Sequence, residues 1–160
     1  MKPIEIYAKM YEDHTYDGWA KLTPMWAEIK TRYPLFGKDD LGTEVGAGWW
    51  PLLEETFAEL TKILEQWPGV LFRVDQIKEK FGGLRFYYHT RRANGSTITD
   101  EALEDVRKLL DAVVMQAEGK ASQTCEICGE PGERRSLSWL KTLCDKHYTI
   151  ANERAKKWKS

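Results

Sequence analysis

The placement of its cysteines limits this chain more than any other feature does. All three lie within Thr124–His147, TCEICGEPGERRSLSWLKTLCDKH, as Cys125-x2-Cys128 and, fifteen residues later, Cys144-x2-His147. Thiolates and a neutral imidazole are the donors that a borderline-soft dication accepts, and two short pairs on separate turns can close a tetrahedron around it. Gly129 suits a knuckle, where the backbone must turn tightly behind the second sulfur. Pro131-Gly132 supplies a turn, and Asp145 opens a last helix that carries His147. A disulfide scaffold leaves one of the three cysteines over, and a redox CxxC needs a strand-to-helix setting that Gly-Glu-Pro-Gly does not offer. The reading is a structural Zn2+ held by Cys125, Cys128, Cys144 and His147, with no vertex left for water. Three thiolates and a neutral ring leave a site charge near minus one, for Arg134, Arg135, Lys141 or Lys146 to offset.

The metal-binding stretch needs a body to stand on, and the rest of the chain is long enough to bury a core. Residues 51–67 form the clearest helix. Pro51 fits a first turn, and Leu52, Leu53, Thr56, Phe57, Leu60, Ile63, Leu64 and Trp67 share one side. Pro68-Gly69 ends it. VLFRVDQIKEKFGGLRFYYH then alternates on both sides of Gly82-Gly83, which predicts a β-hairpin with Phe72, Val74 and Gln76 on one face. Thr99 caps a second long helix with its stripe at Ala102/Leu103, Val106, Leu109/Leu110, Val113 and Ala117, closed by Gly119. Pro3 opens a short N-terminal helix. Met25, Trp26 and Ile29 make a turn or two before Tyr33-Pro34, and 35–48 reads as a long surface loop. A final helix places Tyr148, Ala151, Ala155 and Trp158 on one face.

The expected fold is therefore α+β: two long amphipathic helices with a β-hairpin between them, then a Cys3His zinc-ribbon-like element and a final helix. Residues 1–119 make the body, and 120–160 make the metal element packed on it as one unit. The net charge is −1, so the whole molecule is not a polyanion binder by bulk electrostatics. No apolar run approaches the ~20 residues of a membrane helix, MKPIEIYAKMYEDH is unlike a signal peptide, and reduced thiols point to the cytoplasm.

Taken as a set, YPLF, GWWPLL, VDQIKEKFGGLRFYY, TCEICGEPG and WLKTLCDKH resemble a family of small zinc-binding proteins encoded by bacteriophages and bacterial genomes of prophage type. The likeness runs from about Tyr33 to His147, and its KEKFGGLRFYY and CxxCG…LCDxH segments are its most specific parts. It implies a zinc-tied α+β fold and a bacterial host cell as the location. It brings no activity with it.

Catalytic patterns fit poorly. With His147 a ligand, His14 and His89 are the remaining ordinary acid–base imidazoles, and no cysteine is left as a nucleophile. No nucleophile elbow, P-loop, dinucleotide fingerprint or deaminase pattern occurs. Binding is the better expectation. Arg73, Lys78, Lys80 and Arg85 stand among Phe81, Phe86, Tyr87 and Tyr88, and Gly82 and Gly83 would leave approachable amides in the turn. Trp49 and Trp50, after a glycine-rich stretch, would add a stacking wall. Cations, amides and flat rings suit a ligand with a phosphate and a base. The same residues also suit ordinary packing and a solvated face. The leading expectation is a non-catalytic binder that sequesters an anionic nucleotide-like signal or a host protein, a counter-defence role that the family resemblance suggests. The alternatives are a nucleic-acid binder using Arg134, Arg135, Lys141, Lys146, Lys156, Lys157 and Lys159, and an enzyme with an unfamiliar site.

Overall fold

Pro51 and Thr99 stand in the first turns of the two long helices of the computed structural model, which describes residues 1–37 and 41–159. In chain order the elements are α1 (Pro3–Asp13), α2 (Trp19–Arg32), the single turn α3 (Pro34–Gly37), a 3-10 turn (Ala47–Trp49), α4 (Trp50–Glu65), β1 (Val70–Lys80), β2 (Gly83–Arg92), α5 (Asp100–Ala121), β3 (Glu133–Ser136), β4 (Leu140–Leu143) and α6 (Asp145–Lys159). The fold is α+β, with two antiparallel two-stranded sheets, β1–β2 and β3–β4. Among the described residues, no helix is long and apolar enough to cross a membrane.

α4 buries Leu52, Leu53, Thr56, Phe57, Leu60 and Leu64, as the helical spacing predicts. α5 begins where Thr99 Oγ1 accepts the Ala102 N–H at 3.1 Å. Its stripe is Leu103, Val106, Leu110, Val114, Ala117 and Ala121, so Val114 takes the buried place expected of Val113 and Leu109 is 50% exposed. Gly119 does not close the helix. It lies on the solvent side, and burial of Ala121 carries the helix on into the metal element.

The hairpin differs from its expected form in two places. Strand twist favours a two-residue turn with both central residues at positive φ. That turn is Phe81-Gly82, at φ 55° and 80°, while Gly83 belongs to β2 and pairs with Lys80. A bulge at Asp75 then breaks the simple alternation, so that Asp75 and Gln76 both leave the core side. The extra residue keeps Val70 and Val74 before it, and Ile77 after it, all buried. The sheet's edges are covered. Glu44 bridges β1 beside Lys78, and Arg107 of α5 donates to the Thr90 carbonyl of β2 at 3.2 Å.

Phe57 is the centre of the core, stacked on Phe36 at 4.0 Å between centroids and ringed by Trp26, Tyr33 and Phe86. α2 is a 14-residue helix rather than the turn or two expected, and it continues past Pro24. Losing that backbone bond costs about 3 kcal/mol, which burial of Leu22, Trp26 and Ile29 at about 1.5–3 kcal/mol each outweighs. The expected surface loop is also corrected. Phe36, Leu41, Val45 and Ala47 are buried, so the stretch on either side of residues 38–40 packs into the core, with Glu44 beside β1; 38–40 lie outside the described residues. Trp158 is 89% exposed and joins no helix face packing.

Candidate functional site

The knuckle forms as the glycine suggests. Gly129 has φ 77° and donates to the Cys125 carbonyl at 2.9 Å, which curls Cys125 and Cys128 toward one point. β3 and β4 fold back so that Cys144 ends the second strand and His147 sits in the first turn of α6. The donor atoms of Cys125, Cys128, Cys144 and His147 all lie within 4.8 Å of one another, so this cluster can hold a metal ion. Cys128 Sγ lies 3.8 Å from Cys144 Sγ, and Cys125 Sγ lies 3.7 Å from His147 Nδ1. A tetrahedron with bonds of ~2.3 Å to sulfur has edges of ~3.8 Å, so the separations suit a four-coordinate ion of zinc size. No disulfide joins the three thiols.

The facing nitrogen is Nδ1, and Nε2 is 3.0 Å from Glu12 Oε1. Glu12 thus orients the ring and holds its second proton, as a carboxylate behind a metal-bound imidazole does. The same oxygen takes Lys146 Nζ at 2.8 Å, and these donors hold the Glu12 carboxyl below its usual range. Burial pushes the His147 imidazole down, in the direction ligation needs, and pushes the Cys128 thiol up to about 12, so that a bound cation would be needed to draw out this thiolate. Nothing in the local sequence points to Glu12, which is 135 residues from His147. Arg154 fixes this helix end by donating to the carbonyls of Tyr11 and Glu12 at 2.6 and 3.0 Å.

The metal element is seated on the body through backbone contacts. Gly48 N–H donates to the Glu126 carbonyl at 2.9 Å, and a side chain at Gly48 would collide with the carbonyls of Cys125 and Glu126. The glycines read as loop punctuation are a docking platform. Trp49 is fully buried and donates Nε1–H to the Thr124 carbonyl at 2.8 Å, and Trp50 is 2% exposed. Neither forms a stacking wall, because both rings fill the space between α4 and its neighbours. A second tie joins the hairpin tip to β4. Thr142 Oγ1 donates to the Gly82 carbonyl at 2.6 Å, and Gly82 N–H donates to Glu79 Oε1 at 3.0 Å. The Gly82 amide is therefore occupied, and Gly83 is held in the β1–β2 ladder, so neither offers the approachable turn amide expected of it.

The cations divide by use. Lys141 is turned inward between Glu126 at 3.1 Å and Glu79 at 3.6 Å, Arg135 is paired with Glu133 and Asp145, and Lys146 with Glu12. Lys141 and Arg135 are drawn in, Lys146 makes its pair at the surface, and Arg134 is exposed. On the hairpin, register places Arg73, Lys78, Lys80, Arg85, Tyr87 and Arg91 on the face away from the core. Asp75 shares that face and pairs with Arg73 and His89, the His89 contact doing most to hold its carboxyl below the usual range. Lys78 lies over the Tyr87 ring, 5.9 Å from its centroid, and Arg85 is half-buried within electrostatic reach of Glu118.

No family model, curated protein or solved structure matches this chain. The likeness carried by its motifs therefore rests on those motifs alone.

Proposed function

We propose that the protein is a non-catalytic binding protein in which Zn2+ is the stapling ion and the hairpin's outer face takes an anionic ligand carrying a flat ring, of nucleotide type. The observation that carries this is the outer face itself: Arg73, Lys78, Lys80 and Arg85 stand around an exposed Tyr87, with Asp75 and Glu44 as carboxylates beside them. Phosphate would meet the cations through charge-assisted hydrogen bonds, while a base would stack on the tyrosine. Zinc is favoured by three thiolates with one imidazole at tetrahedral spacing. Four protein donors complete that shell, so the ion's work is to hold β3, β4 and α6 against the body.

Two measurements test this reading. Elemental analysis of protein purified without added metal should find one zinc per chain; none, or another ion in its place, rejects the staple. Native mass spectrometry with mononucleotides, cyclic dinucleotides and short oligonucleotides should show a retained ligand whose binding weakens in Lys78→Gln and Arg85→Gln. Recovery of bare protein from every mixture removes the ligand assignment. Sequestration as a counter-defence step would follow only from the identity of the ligand retained.

A further inference from the structure

Phe81 stands where neither turn preference nor core packing would put a phenylalanine. It takes the left-handed conformation, φ 55°, at the first central position of a turn that favours asparagine, aspartate or glycine. It is also 60% exposed. A large side chain that meets the backbone cost of the left-handed region without burying itself marks a functional position when its surroundings hold it there. They do hold it. Gly82 next to it is tied at both ends, through Glu79 and Thr142, and a side chain at Gly82 would press on the Lys141 backbone at 3.3 Å.

That backbone contact brings in the stretch that carries a second exposed aromatic. The turn joining β3 and β4 carries Trp139, 68% exposed, one residue before Leu140, whose backbone also faces Gly82. The tips of two hairpins from different parts of the chain thus lie together, each with an exposed aromatic beside the point of contact. Lys80 lies over the Phe81 ring, 5.4 Å from its centroid, and Arg134 is exposed on the strand face it shares with Thr142. The nearby acids are spent inside, since Glu79 and Glu126 both turn onto Lys141 with side chains 19% and 4% exposed. The surface around the two rings is cationic.

We infer that the paired hairpin tips bind single-stranded nucleic acid, with bases stacking on Phe81 and Trp139 and phosphates running over Lys80, Lys78 and Arg134. This rests on the proposed hairpin site and names its ligand as a polymer. A free nucleotide needs a cavity that encloses most of its surface, whereas these rings stand open. A strand gains by adding one stacked base and one phosphate contact after another along an open surface. A duplex keeps its base faces stacked inside and offers these rings nothing.

Fluorescence anisotropy of the metal-loaded full chain with a 12-nucleotide single strand, its duplex, a mononucleotide and poly-glutamate decides the matter. Single strands should bind best. Phe81→Gly and Trp139→Ala should each weaken binding about tenfold or more. Phe81→Gly relieves the turn, so its melting temperature should not fall, which separates lost binding from lost folding. Phe81→Trp should restore affinity. Lys78→Gln and Lys80→Gln should each lower the slope of log affinity against log salt by about 0.7. Equal binding of duplex and single strand, or ring variants that bind like the parent, overturns the stacking surface. Mononucleotide binding without strand binding overturns the polymer and leaves the hairpin reading standing. Preference for poly-glutamate makes the occupant an acidic protein and overturns the nucleic-acid assignment. Silence from all four probes removes both.

Discussion

The two hairpins of this protein share a topology and differ in what holds them. β1–β2 carries strands of 11 and 10 residues and lays Val74, Ile77, Leu84 and Phe86 on the core beneath α4 and α5. β3–β4 has four residues in each strand and buries little beyond Thr142 and Leu143. An isolated short hairpin is marginal in water, and so small an element needs a staple. Apolar burial serves the first, and beside the second stands the Cys3His cluster that can hold a metal ion. The Gly82–Thr142 and Glu79–Lys141–Glu126 contacts then join the long hairpin to the short one.

This contrast is sharpest when each support is removed by itself. Cys125→Ser should be the most damaging change, because a structural metal's binding energy is folding energy for its element. Hydrogen exchange should show 124–147 losing protection while Ile77, Leu84 and Phe86 keep theirs. Equal loss in both hairpins would mean that they form one cooperative unit. Phe57→Ala attacks the other side and should cost about 3–5 kcal/mol in denaturant unfolding, with metal content unchanged. Glu12→Gln keeps the shape of the α1 contact but weakens the hold on His147. Metal affinity by chelator competition should fall about 10–100-fold, with the metal-saturated melting temperature nearly unmoved. An unchanged affinity would reduce Glu12 to a surface partner of Lys146.

The smallest expected effect concerns Glu118, whose carboxyl is pushed up by burial against the opposing pull of the nearby Phe86 amide and Arg85. A carboxyl with a raised folded pKa favours the folded state below its unfolded value, and that contribution is lost as pH rises through the folded value. Glu118→Gln should therefore raise the melting temperature slightly at neutral pH. The gain should vanish on the acid side of the carboxylate range. A gain that persists at low pH would point to packing rather than charge.

The Cys3His set was legible because its spacing is local, and so were α4 and α5, whose stripes repeat over several turns. Other features were not. Glu12 meets His147 only because α1 crosses the metal element, and no periodicity links residues so far apart. Trp49 and Trp50 read as a stacking wall and proved to be core, since an aromatic ring suits either setting until its neighbours are known. Gly46 and Gly48 looked like loop glycines, and their need for contact with the knuckle lies in the approach of another segment. The bulge at Asp75 escaped because one extra residue leaves both halves of a strand correctly patterned while shifting their phase.

By itself the sequence determined the donor set, the starts of α1, α4, α5 and α6 and the two-sided hairpin, all of which depend on neighbours within a turn or a strand. Only the tertiary structure decided which aromatics are buried, which cations remain free and which turns touch. Those outcomes depend on where distant segments meet, and burial and pairing are properties of that meeting rather than of any one residue.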